Sequence, residues 1–172
     1  LVDLLWTPSP DGDDHLRAMG VPEERIDRVG NIMIDTLVSM LPSVEAKEHW
    51  RTYGVPEHGY AVVTLHRPSN VDQPEVLSGI LDLLLDQAQS LPMVWPLHPR
   101  TRARIEALGR LDEVEAATGL HLTPPLGYLE FMSCVASSRC VITDSGGIQE
   151  ETTWLGVPCL TLRPNTERPI TL

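Results

Sequence analysis

An α/β fold, a doubly wound parallel sheet of Rossmann-like type, follows from three features of the 172-residue sequence. Short apolar runs rich in β-branched residues alternate with longer stretches of helical period, the pattern of strand-helix units. The clearest run, Tyr60-Ala61-Val62-Val63-Thr64-Leu65, is apolar without a break, as strands buried on both faces are. Polar residues capable of chemistry come directly after these runs, on the rim where open parallel sheets bind ligands.

The elements can be justified in chain order. Leu4-Leu5-Trp6-Thr7 reads as a short strand stopped by Pro8, Pro10 and Gly12. A helix is expected over 13–19, ended by Gly20, and a strand over 25–29. After Gly30-Asn31, the spacing of Ile32, Ile34, Leu37, Val38 and Leu41 predicts a helix that Pro42 stops. The strand ending at Leu65 leads through His66-Arg67-Pro68-Ser69-Asn70 to a helix starting near Asp72, with Pro74 in its first turn. Val76, Leu77, Ile80, Leu81, Leu84, Leu85 and Ala88 keep the helical period, and the acidic residues between them read as its wet face. Met93-Val94-Trp95-Pro96-Leu97 is the next strand, although a proline cannot donate to a ladder. A helix over 99–108 ends at Gly109. A strand over 120–123, a helix over 128–136, a strand over 139–143, a helix over 147–155 closed by Gly156, and a strand over 157–162 complete the pattern.

Composition excludes several function classes. The chain is 42% hydrophobic and 22% charged, with a net charge of −11. That charge disfavours nucleic acid and anionic membranes as partners, and no run approaches the roughly 18 apolar residues of a membrane span. Cys134, Cys140 and Cys159 lack metal-type spacing and read as buried, reduced residues, which fits a cytoplasmic protein. The start has no basic leader and no Met, and so reads as a fragment beginning in mid-fold.

The rim carries the chemistry. Ser145-Gly146-Gly147 joins a buried strand to a helix. Glycines allow close approach of a ligand, and free N–H groups at a helix N-terminus attract an anion. Ser145 can cap the helix or donate to a phosphate, and Glu151, one turn further on, can accept from a ribose diol. A tight packing turn is the plain alternative, since the spacing matches neither the P-loop nor the full dinucleotide signature. His66 reads either as an acid/base or diphosphate partner, or as a histidine bonded to a loop carbonyl; His98 offers the same choice with less behind it. Arg163 and Arg168 can grip a diphosphate or simply belong to a solvated loop.

The run Thr143-Asp144-Ser145-Gly146-Gly147-Ile148-Gln149-Glu150-Glu151, with Leu155-Gly156-Val157-Pro158 and Thr166-Glu167-Arg168-Pro169, resembles the C-terminal signature of UDP-N-acetylglucosamine 2-epimerases. Val29-Gly30-Asn31 with Ile34-Asp35-Thr36-Leu37 resembles that family's interdomain region, and Thr64-Leu65-His66-Arg67 its His-Arg motif. The resemblance implies the C-terminal half of a two-domain glycosyltransferase-B-type fold. On that basis residues 1–30 are a remnant of the N-terminal domain, 31–58 an interdomain helix and linker, and 59–172 a truncated UDP-binding domain. It implies interconversion of UDP-N-acetylglucosamine and UDP-N-acetylmannosamine through elimination and re-addition of UDP. It implies no metal and no cofactor, and a homodimer in the full-length protein. By position, His66 would be the catalytic histidine, Phe131 would flank the uracil, Ser145, Gly146 and Gly147 would cradle phosphate, Glu151 would hold the ribose, and Arg168 would line the cleft. The sequence departs from the family where His66-Arg67-Pro68-Ser69-Asn70 replaces the common His-Arg-Arg-Glu-Asn. A hydrolysing epimerase, a glycosyltransferase of the same fold and a non-catalytic UDP-sugar binder remain as alternatives.

Overall fold

The computed structural model describes residues 2–166 and 168–171. Two sheets organise them. In the smaller, β1 (Leu5–Thr7) and β2 (Ile26–Arg28) pair in parallel, joined through α1 (Pro10–Ala18). The larger sheet has five parallel strands: β3 (Ala61–Thr64), β4 (Met93–Pro96), β5 (Leu120–Thr123), β6 (Cys140–Thr143) and β7 (Cys159–Thr161). Their spatial order is β5-β4-β3-β6-β7. The chain thus winds outward from β3 to β5, then returns to the other side of β3 and winds out again.

Helices cover both faces, as the unbroken apolar strands require. On one face α4 (Pro74–Ala88), α5 (Pro99–Ala107) and α6 (Leu111–Ala116) place Leu77, Leu81, Leu84, Ile105 and Val114 against Ala61, Val63, Met93 and Trp95. On the other, α2 (Ile32–Lys47) and α7 (Tyr128–Ala136) place Leu37, Val44, Met132 and Val135 against Val62, Val94 and Val141. Alternate residues of each strand therefore feed opposite cores. α8 (Gly146–Leu155) lies on the α2 and α7 side and ends at Gly156, whose φ of +69° is the left-handed stop expected of a C-terminal glycine. Gly119 must also be glycine: its φ is +84°, and a Cβ there would run into the Ala88 carbonyl.

Three expectations need correction. α2 does not stop at Pro42 but runs through it to Lys47. A proline removes one helical hydrogen bond and crowds the carbonyl four residues back, and the fully buried Leu37 and Val44 outweigh that loss by seating the helix in the core it shares with α7. The helix expected near Asp72 is α4, beginning at Pro74, but the stretch before it, read as a connection, holds a further single turn, α3 (Pro68–Val71). α6 was not foreseen, because its six residues are too few to show a period. Pro96, by contrast, fits its strand without cost. The N–H groups of Met93 and Leu97 donate toward β5, so the even positions face β3, and the β3–β4 register has ended at Val62–Val94 before Pro96 is reached.

Candidate functional site

Winding reverses between β3 and β6, and in open α/β sheets ligands bind in the crevice beyond the strand ends at that point. Thr64 pairs with Thr143 in register, so Leu65-His66-Arg67 and Asp144-Ser145-Gly146 leave the sheet side by side. The hydroxyls of Thr64 and Thr143 hydrogen-bond at 2.6 Å and form the crevice floor. Thr101, fully buried at the start of α5, donates to the Leu65 carbonyl at 2.5 Å and ties the β3 exit to the next unit.

Asp144 is the organising residue, and sequence reasoning had given it no role. Its side chain is fully buried and only accepts. The backbone N–H groups of His66 and Arg67 donate to its carboxylate at 3.0 and 2.8 Å, and Asn70 Nδ2 at 3.1 Å. His66 Nδ1 lies 3.1 Å from Oδ1. Burial pushes the Asp144 carboxyl up, but the hydrogen bonds from His66, Arg67 and Asn70 together hold it below the usual carboxylate value. Hydrogen bonding to Asp144 raises the His66 imidazole above the ordinary histidine value, against the opposing effects of partial burial and of Arg67. Asn70 also donates to the Leu162 carbonyl at 2.9 Å, and Arg67 Nε to the Asp144 carbonyl at 2.8 Å. The β3, β6 and β7 exits are thereby locked together. The only available sequence signal was an Asp and an Asn at two strand exits, and without the strand order nothing joined them.

The other expected residues divide. Ser145 precedes α8 but its side chain makes no cap bond, so of its two expected uses the capping one does not hold; its own N–H donates to Thr143 Oγ1 at 3.0 Å. The first N–H groups of the ten-residue α8, which follows directly on the β6 exit, have no partner within the helix. A Cβ on Gly147 would meet only Met33 Cε, at 3.7 Å, so protein packing alone does not demand glycine there. Glu151 lies one turn into α8, almost wholly buried, and accepts from Tyr128 Oη at 3.1 Å. Burial raises its carboxyl above the usual value, the Tyr128 bond works the other way, and neighbouring Glu150 adds to the rise. Phe131, one turn along α7 from Tyr128, is partly buried against the α2–α7 core. Arg168 pairs with the buried Glu150 of α8, Nε to Oε2 3.3 Å. Gln149 holds that stretch in place, bonding both Thr161 and Thr166 at 3.0 Å. Glu167 lies outside the described residues. His98 caps α5, accepting from the Arg100 N–H at 3.2 Å, while its ring sits 5.8 Å from that of His66. Structural and functional readings of His98 therefore both have support.

Chemically, the crevice brings together a helix start with unpaired N–H groups, a charge-assisted Asp-His pair and, one turn into the helix, a buried acceptor. The family model described as UDP-N-acetylglucosamine 2-epimerase matches residues 1–172. The UDP-N-acetylglucosamine 2-epimerase of Methanocaldococcus jannaschii is 34% identical, over 98% of this chain and 47% of its own length. The UDP-2,3-diacetamido-2,3-dideoxy-D-glucuronate 2-epimerase of Pseudomonas aeruginosa is 36% identical, over 96% of this chain and 45% of its own. The crystal structure of the M. jannaschii enzyme in complex with UDP-GlcNAc and UDP superposes with a TM-score of 0.87 at 32% identity, covering 98% of this chain and 48% of that one. The chain spans about half the length of the curated relatives it matches. With the model matched from end to end and the fold shared, the chain belongs to the UDP-N-acetylglucosamine 2-epimerase family.

Proposed function

We propose that this chain supplies the UDP-binding half of an enzyme that interconverts UDP-N-acetylglucosamine and UDP-N-acetylmannosamine, eliminating UDP and adding it back with C2 inverted. In this reading residues 59–172 form the nucleotide-binding domain, 31–58 the connection between domains, and 1–30 part of the other domain. The protein works in the cytoplasm as a homodimer, on precursors of surface polysaccharides. The observation that carries the reading is the convergence of His66, Asp144 and the start of α8 at the winding reversal of the sheet. A diphosphate suits the free N–H groups of Gly146 and Gly147, with the Ser145 hydroxyl available to donate. Its ribose diol suits the Glu151 carboxylate, and its uracil the Phe131 ring. Arg168, engaged with Glu150, serves by shaping the crevice wall.

Calorimetric titration with UDP and with uridine tests this. UDP binds and uridine binds at least tenfold more weakly, because the diphosphate supplies the contacts at the helix start. A folded protein that takes up neither overturns the reading. One observation favours a second sugar: the Pseudomonas relative named for a diacetamido-glucuronate is 36% identical, against 34% for the M. jannaschii relative named for N-acetylglucosamine. The same UDP site serves either, and a product assay with both nucleotide sugars, in the full-length protein, decides.

A further inference from the structure

Asp144 carries more than the closure of a loop. We infer that it is a positioning residue for His66, fixing the imidazole with Nδ1–H toward the sheet and Nε2 toward the crevice. This rests on the proposed UDP site for its consequence, though not for its geometry. A carboxylate that accepts from two backbone N–H groups and an amide has no hydrogen of its own to offer. The ring atom facing it at 3.1 Å, Nδ1, must therefore carry the proton. Nε2, on the opposite side of the ring, is then a lone pair in the neutral imidazole and a donor in the imidazolium. Both states present the same atom to the ligand. Among the described residues, the charged and titratable groups facing His66 are Asp144 from the β6 exit, Arg67 from its own loop and His98 from the β4 exit. Only the first favours the proton, and its hydrogen bond prevails, so His66 keeps its charge to higher pH than a free histidine. An imidazolium fixed in this way can donate from Nε2 to a diphosphate oxygen without first reorienting.

Nitrogen-15 shifts of the His66 ring, assigned with His66→Gln and followed across pH, read this directly. Neutral His66 is expected as the Nδ1–H tautomer, with a midpoint above the ordinary 6.5. In Asp144→Asn the midpoint falls, both tautomers appear, and kcat of the full-length protein drops by roughly a hundredfold or more while UDP still binds. Asn70→Ser loosens the same loop without removing the carboxylate, and the His66 midpoint stays within experimental error. An Nε2–H tautomer in the unmodified protein overturns the inference, whether or not Asp144→Asn folds. So does a His66 midpoint that Asn70→Ser moves as far as Asp144→Asn does, since a loop staple then explains everything. Absence of UDP binding with the tautomer as expected sinks the proposed function and leaves the Asp144–His66 pairing intact.

Discussion

Glu151 shows how much a single side chain's task depends on its neighbours. To accept from a diol it must be ionised, yet burial raises its carboxyl above the ordinary 4.5, and Glu150 beside it adds to the rise. The Tyr128 hydroxyl, donating at 3.1 Å, is the group that offsets them. Affinity for UDP is therefore expected to fall as pH drops through a value higher than that of a free glutamate. Tyr128→Phe removes the offsetting donor, so the fall begins at higher pH still. At neutral pH the variant binds roughly tenfold more weakly, the equivalent of about 1.5 kcal/mol for one hydrogen bond to a charged acceptor. Calorimetry of both proteins across pH checks it, and superimposable profiles would remove Tyr128 from the site. The tyrosine stood unremarked in the sequence, because nothing in a helix start at Tyr128 indicates that Glu151, 23 residues on, lies above it.

At the scale of elements, periodicity made the large sheet legible. All five strands fell within the runs expected of them, and α7 matched at both ends, because strands buried on both faces and amphipathic helices each leave a pattern in one stretch of chain. What was lost depends on contacts across the fold. Asp144 looked like part of a glycine-rich turn, and only the adjacency of β3 and β6 makes it the partner of His66. Pro42 looked like a helix end, because local propensity does not weigh the packing of Leu37 and Val44 on either side. That weighing can be measured. Pro42 is exposed within α2, so Pro42→Ala restores a backbone donor and relieves the crowding at the carbonyl of Val38. Against a proline cost of up to about 3 kcal/mol stands the lost stiffening of the unfolded chain, up to about 1 kcal/mol. A net gain of about 1–2 kcal/mol is expected as a higher urea midpoint with unchanged slope. A loss of stability would mean that the α2 axis needs its proline for the contact with α7.

Across the whole molecule, stability should be uneven. The five-stranded sheet has a core on each face, with Val62, Val94, Trp95 and Val141 fully buried. The β1–β2 pair has only two strands, too few for independent stability, and leaves Trp6 70% exposed. Its integrity depends on a polar node: Asp13, buried in α1, takes the Thr7 hydroxyl and the Arg28 guanidinium and so joins α1 to both strands. The two regions are therefore expected to open separately. Hydrogen exchange should release the Val29 amide, which donates to Thr7 at the end of the small sheet, well before the amides of Val62, Val94 and Val141. Asp13→Asn keeps the shape but removes the charge that holds Arg28, and it should speed exchange at Val29 while leaving the large sheet's protection unchanged. If both sheets lost protection together, the molecule would be one cooperative unit. The crevice would then depend on α1, although the hydrogen bonds that hold Asp144 in place come from the exits of β3, β6 and β7.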